Sequence, residues 1–186
     1  MALNITPSGQ ACGATVTGLD LTKPLDPSTV DAIRAAWLEH HVLAFTGQSM
    51  DDDDLERFTL YFGPFGDDPY IAPIPGRSNV IAVKREADEK ASVFAVSWHT
   101  DWSFQETPPA GTCLMAITVP PVGGDTLFVN QHKSLKAMPA ELRDRIEDKI
   151  AIHSARGPYS TKGFYGQEDK EASGRSMDIR PSIEAE

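Results

Sequence analysis

The chain has 186 residues, 40% of them hydrophobic, with 27 acidic against 17 basic side chains and a formal net charge of −10. That is enough apolar material for the core of one domain. The acidic balance, with a pI near 4.9 and no basic run, argues against a nucleic-acid groove or an anionic membrane surface as the main partner.

The longest apolar runs, such as 42–45 and 114–117, are strand-sized and too short to span a bilayer. The first residues carry neither a basic leader nor a long apolar stretch, so no signal peptide is expected. Cys12 and Cys113 form no metal or redox motif and read as free thiols of a reducing cytoplasm. A small-molecule substrate, anionic ones included, stays compatible with this charge because a pocket can be locally basic.

In chain order, Ser28 is placed to cap a helix whose apolar stripe is Val30, Ile33 and Trp37, ending near His40. Residues 42–45 follow as a buried strand closed by Gly47. Four aspartates, 51–54, precede Leu55, Phe58 and Phe62, and acidic residues there suit a helix N-terminus. A calcium loop would need alternating ligands and a central glycine, which are missing. Gly63-Pro64-Phe65-Gly66 then stops the helix.

Further strands are expected at 80–83, 112–118 and 126–129, with a turn at 120–124. The charged run 84–90 reads as a solvated loop, and its position before the most distinctive segment also suits a lid. Pro139 opens a helix with Leu142, Ile146 and Ile150 in one core-facing stripe. Beyond Arg156 the chain is polar, and 156–186 reads as a long mobile surface excursion.

Of five histidines, His99 alone sits in a chemically suggestive setting, Trp98-His99-Thr100-Asp101-Trp102-Ser103-Phe104. In an extended chain, residues i and i+2 point to one side, so His99 and Asp101 can present an imidazole and a carboxylate to one point. With one more histidine, those ligand types make the facial triad that binds Fe(II) and leaves positions open for substrate and oxygen. A bare His-x-Asp is weak evidence, because a surface histidine beside a strand-end aspartate gives the same letters. The bracketing aromatics Trp98, Trp102 and Phe104, which would keep water from a metal, raise its weight.

The ordered set Trp98-His99-Thr100-Asp101, Phe104, Glu106-Thr107-Pro108-Pro109-Ala110-Gly111 and Gly123-Gly124-Asp125-Thr126-Leu127-Phe128 resembles the taurine dioxygenase family of Fe(II)/2-oxoglutarate-dependent dioxygenases, with its herbicide phenoxyalkanoate dioxygenases and alkylsulfatases. The likeness extends to Gly13-Ala14-Thr15-Val16-Thr17-Gly18-Leu19-Asp20-Leu21, to 41–45 and to 62–66. It implies an α+β fold built on a double-stranded β-helix, a cupin-like jelly roll with flanking helices. It also implies Fe(II), the co-substrate 2-oxoglutarate and O2, hydroxylation of a small organic substrate with release of succinate and CO2, and assembly as a homodimer or homotetramer.

Residue by residue, the resemblance makes His99 and Asp101 the first two iron ligands. Thr126 becomes the threonine holding the distal carboxylate of 2-oxoglutarate, and Phe104 a wall of the substrate pocket, although it could equally be core. Trp98 and Trp102 become shell residues. The family's second iron histidine and its 2-oxoglutarate arginine fall farther along the family pattern than Glu186, so the chain is expected to be the N-terminal two-thirds of a single dioxygenase domain. His132 is expected at the surface. His153 opens a cupin-like alternative that uses His99, Asp101 and His153 without 2-oxoglutarate; Arg156 and Arg175 are the candidate stand-ins for the arginine, and an inactive jelly-roll piece retained for binding is a further alternative.

Taurine enzymes carry an asparagine four positions before the first iron histidine, where this chain has Ala95, and Ile71 and Ile74 replace their His and Tyr. These side chains offer no polar partner to a buried sulfonate or ammonium. A larger or more apolar substrate is therefore expected, such as an aryloxy acid or alkyl sulfate.

Overall fold

The computed structural model describes residues 3–91, 93–166 and 174–180. They cluster into two compact units, each built from two stretches of chain: 1–62 with 113–150, and 63–112 with 151–186.

In the first unit, strand β1 (Asn4–Pro7) pairs antiparallel with β2 (Ala14–Thr17), which pairs parallel with β3 (Leu43–Phe45). Helix α1 (Pro27–His40) makes the crossover between the parallel strands. Its N-cap is Asp26, not Ser28, because the Asp26 carboxylate accepts from the Thr29 N–H while Ser28 only donates to Asp26. Those donated hydroxyls hold the Asp26 carboxyl far below the usual carboxylate range. At its other end the chain turns at His41 in the left-handed region, with φ +66°. The His40 and Val42 carbonyls then accept from Gly13 and Ala14, which starts β3 in register.

The aspartate run is a helix start, as its composition predicts. Asp51 caps α2 (Asp52–Leu60) through a reciprocal box with Asp54, and Arg57 pairs with Asp54 at 2.7 Å. Ile33 of α1, Phe58 of α2 and Leu21 make the core of this unit, and Cys113 packs against it. Burial raises the Cys113 thiol pKa, and the two cysteines are free.

The later stretch of this unit departs from the sequence reading. Residues 112–118 and 126–129 form no ladder with any described strand. A strand is defined by its hydrogen-bonded partner, and an apolar alternating sequence does not supply one. In the second unit, residues 80–83 contribute one bridge among the described residues, Pro73 to Ile81. Helix α3 (Gln131–Ala137), unforeseen in the sequence, is capped by the buried Asn130, which accepts from Lys133 N–H and donates to the Ala11 carbonyl. His132 is exposed as expected and stacks on His41 at 5.7 Å. Helix α4 (Ala140–Ile146) stops short of Ile150, and Leu142, Ile146 and Ile150 are exposed instead of core. Asp148, with φ +60°, turns the backbone out of helical geometry between Ile146 and Ile150.

The second unit is held by an aromatic core. Tyr70, Ile71, Tyr159, Tyr165, Met177 and Ile179 are buried together, and Tyr70 stacks on Tyr159 at 4.5 Å with the planes 4° apart. Four of these six lie beyond Arg156, so the described part of that stretch supplies core rather than only surface. Its polar composition masked three aromatic or aliphatic anchors and Met177, spaced without period around glycines. Tyr159 belongs to the one-turn helix α5 (Arg156–Tyr159). The segment 180–186, save Arg180, and residues 167–173 lie outside the described residues.

The charged loop 84–90 is solvated, as expected, and is tied down by its own side chains. Arg85 donates to the carbonyls of Ala91 and Glu89, and Glu89 accepts from the Ser176 N–H and hydroxyl.

Candidate metal centre

Two non-glycine residues with positive φ flank the His-x-Asp motif, Ala95 at +58° before it and Trp102 at +49° after it. Such conformations persist only where their surroundings hold them. Ala95 N–H donates to the Tyr165 hydroxyl at 3.1 Å, and the Trp102 ring packs on Phe104 and Tyr159. The aromatic core therefore grips the loop on both sides of His99 and Asp101.

Within the loop, His99 Nε2 lies 3.1 Å from Asp101 Oδ1, and both side chains are about half exposed, 46% and 48%. His99 Nδ1 lies 2.7 Å from the Ser97 carbonyl. A carbonyl only accepts, so Nδ1 carries the proton, which in the neutral ring leaves the Nε2 lone pair facing the carboxylate. Thr112 donates its hydroxyl to the other carboxylate oxygen, Asp101 Oδ2, at 2.7 Å. The pair is thus brought together as the i and i+2 spacing predicts, and a nitrogen and an oxygen this close can share one cation. An imidazole and a carboxylate fit a borderline first-row ion such as Fe(II). Among the described residues no third His, Cys, Asp or Glu side chain joins them.

His153 does not join them. Its Nδ1 is 2.7 Å from Ser103 Oγ, so the cupin-like ligand set His99, Asp101 and His153 is not formed. Arg175 is buried with its guanidinium 4.9 Å over the Tyr165 ring. Arg156 lines an open surface cavity with Ser160 and Lys162. Trp98 is 68% exposed and shields nothing, whereas Phe104 packs among Tyr70, Trp102 and Tyr159. Thr126 belongs to the first unit, where it is exposed and outside any strand. Sequence reasoning missed Ser97, which acts through its backbone carbonyl and so leaves no mark in its residue type, and Thr112, a hydroxyl residue of a kind too common to single out.

Asp68 lies in the same unit. Its Oδ1 accepts from the N–H groups of Tyr70 and Ile71, while Oδ2 is buried without a partner among the described residues. Burial raises its pKa above the ordinary 3.8, against the pull of those two bonds. A raised carboxylate pKa favours the neutral form in the folded state. The stability it contributes is therefore present below the unfolded value and is lost as pH rises through the folded value. Asp68→Asn keeps an acceptor for both N–H groups and removes the charge. Urea unfolding is expected to show a flatter stability profile above pH 3.8, with no loss at neutral pH; a steeper profile would contradict this account.

The family described as "Taurine catabolism dioxygenase TauD, TfdA family" matches residues 4–184. The chain is 30% identical over 162 residues to an alpha-ketoglutarate-dependent sulfate ester dioxygenase of Pseudomonas putida, covering 87% of this chain and 52% of that protein. It is 32% identical over 194 residues to an (S)-phenoxypropionate/alpha-ketoglutarate-dioxygenase of Delftia acidovorans, covering 97% of this chain and 66% of that one. Its fold is similar to that of AAD-2, solved in complex with Mn(II) and N-oxalylglycine, with a TM-score of 0.60 at 22% identity over 97% of this chain and 63% of that chain. The chain thus spans between about half and two thirds of the length of these proteins. With a family match over nearly every residue, the chain belongs to the TauD/TfdA family.

Proposed function

We propose that this chain carries two iron ligands of an Fe(II)- and 2-oxoglutarate-dependent dioxygenase that hydroxylates a small organic anion, with release of succinate and CO2. The observation that carries the reading is the 3.1 Å approach of His99 Nε2 to Asp101 Oδ1 inside a chain of this family. When bound, iron supplies activation of O2 coupled to oxidative decarboxylation of 2-oxoglutarate.

The protein's own residues do the rest. The Ser97 carbonyl sets the His99 tautomer and Asp101 brings negative charge to the ion; the family resemblance alone assigns Thr126 to the distal carboxylate of 2-oxoglutarate. Phe104, backed by Trp102 and Tyr159, forms an apolar wall that turns water away from the reacting carbon. Among the described residues the pair gains no third ligand, and the family resemblance gives the jelly-roll fold as the frame of the site.

The substrate is larger or more apolar than taurine. Ile71, at one of the positions where taurine enzymes carry polar groups, is buried in the aromatic core on which Phe104 packs. The sulfate ester and phenoxypropionate enzymes among the relatives favour an alkyl sulfate or aryloxy acid. We place the protein in the cytoplasm, as a homodimer or homotetramer, on its acidic charge, its free cysteines and the family resemblance. No helix among the described residues is long and apolar enough to cross a membrane.

Anaerobic addition of Fe(II) and then 2-oxoglutarate is expected to give a visible metal-to-ligand charge-transfer band. Absence of the band in both the 186-residue chain and any longer form of the protein would refute the reading. Tight taurine-dependent succinate production would refute the substrate class.

A further inference from the structure

We infer that Thr112 is a positioning residue for the metal centre, and that it dictates which oxygen of Asp101 meets the ion. The inference rests on the proposed iron site and concerns a residue outside the His-x-Asp motif.

The two carboxylate oxygens of Asp101 are differentiated. Oδ1 faces His99 Nε2 at 3.1 Å, and Oδ2 accepts from Thr112 Oγ1 at 2.7 Å. An aspartate without such an anchor rotates about its last bond, which exchanges the two oxygens and lets them meet a cation together. The Thr112 hydroxyl removes that freedom by occupying Oδ2, so that one oxygen alone is left for the ion. Donors that hydrogen-bond a metal-binding carboxylate in this way fix the orientation in which it meets the metal.

Thr112 suits the task for two reasons. Its β-branched side chain has a stiff χ1, so the hydroxyl is held in place without a second partner. It also follows Pro108-Pro109-Ala110-Gly111 directly, and Pro109 lies within van der Waals reach of the place a side chain at Gly66 would take. The backbone that delivers the hydroxyl is thereby stiffened by prolines and runs close to Gly66. His99 is held by a partner two residues away and Asp101 by one eleven residues away, so the two ligands are anchored independently.

Thr112→Val keeps the shape and branching and removes the donor, whereas Thr112→Ser keeps the donor. Mn(II), titrated into the full chain and followed by the electron paramagnetic resonance signal of the free ion, serves as the probe. Thr112→Val is expected to weaken Mn(II) binding by roughly 10- to 100-fold, as loss of an outer-shell partner does. Thr112→Ser is expected to stay near wild type, and the unfolding midpoints of both metal-free variants to stay unchanged. Wild-type affinity in Thr112→Val would overturn the inference, and equal weakening in both variants would overturn it by assigning the loss to packing. A wild-type chain that binds no Mn(II), in a longer form as well, would remove the iron site itself and this inference with it.

Discussion

His99→Ala is expected to lose the charge-transfer band formed with Fe(II) and 2-oxoglutarate and to weaken metal binding by more than about 100-fold, beyond the effect of losing a supporting residue. The variant removes the only nitrogen donor of the pair and leaves Asp101 as a single half-exposed carboxylate. His153→Ala, measured beside it, is expected to keep the band, because His153 is engaged with Ser103 and not with the pair. The comparison separates ligation from loop damage, since both histidines hydrogen-bond near the same turn. Equal loss in the two variants would show that the loop, and not the His99 nitrogen, controls the metal.

The second large effect is on stability. Phe58 is 6% exposed at the centre of the first unit, with edge-on contacts to Phe45 at 5.1 Å and Phe62 at 5.3 Å, and with Leu21 and Ile33 in the same core. Truncation to alanine forfeits the transfer free energy of the ring and leaves a cavity that β3 and α1, tied by backbone bonds, cannot collapse to fill. Phe58→Ala should cost about 3–5 kcal/mol, a large part of the roughly 5–15 kcal/mol that holds a typical domain folded. Urea unfolding followed by far-ultraviolet circular dichroism measures it. A loss below about 1 kcal/mol, the level of a surface change, would mean that this core is not close-packed.

The elements that local chemistry determines were legible in the sequence. The aspartate run became a capped helix because its charge, its cap and the spacing of Phe58 all agree. The His99 and Asp101 pair was legible for a related reason, since a two-residue spacing needs no distant partner. The strands at 112–118 and 126–129 failed because strand identity is a property of a pair, and apolar alternation says nothing about where the pair is. The aromatic core failed in the opposite direction. Tyr159, Tyr165, Met177 and Ile179 are scattered through a polar, glycine-rich stretch, and only tertiary contact with Tyr70 and Ile71 makes them interior. Thr112 was unreadable because a hydroxyl becomes an anchor only when folding brings a carboxylate to it.

The two contacts that orient His99 and Asp101 differ in range from those that hold their loop. Closing the Ser97 to His99 contact costs almost no chain entropy, and the Thr112 to Asp101 contact closes a short loop, whereas Tyr70 and Tyr159 must meet from separate stretches of the unit. The contacts that orient the two side chains are therefore local in sequence, while the Ala95 and Trp102 backbone conformations on either side of them depend on the long-range ring cluster. Loosening that cluster is expected to disorder the His99 and Asp101 pair even with Ser97 and Thr112 intact.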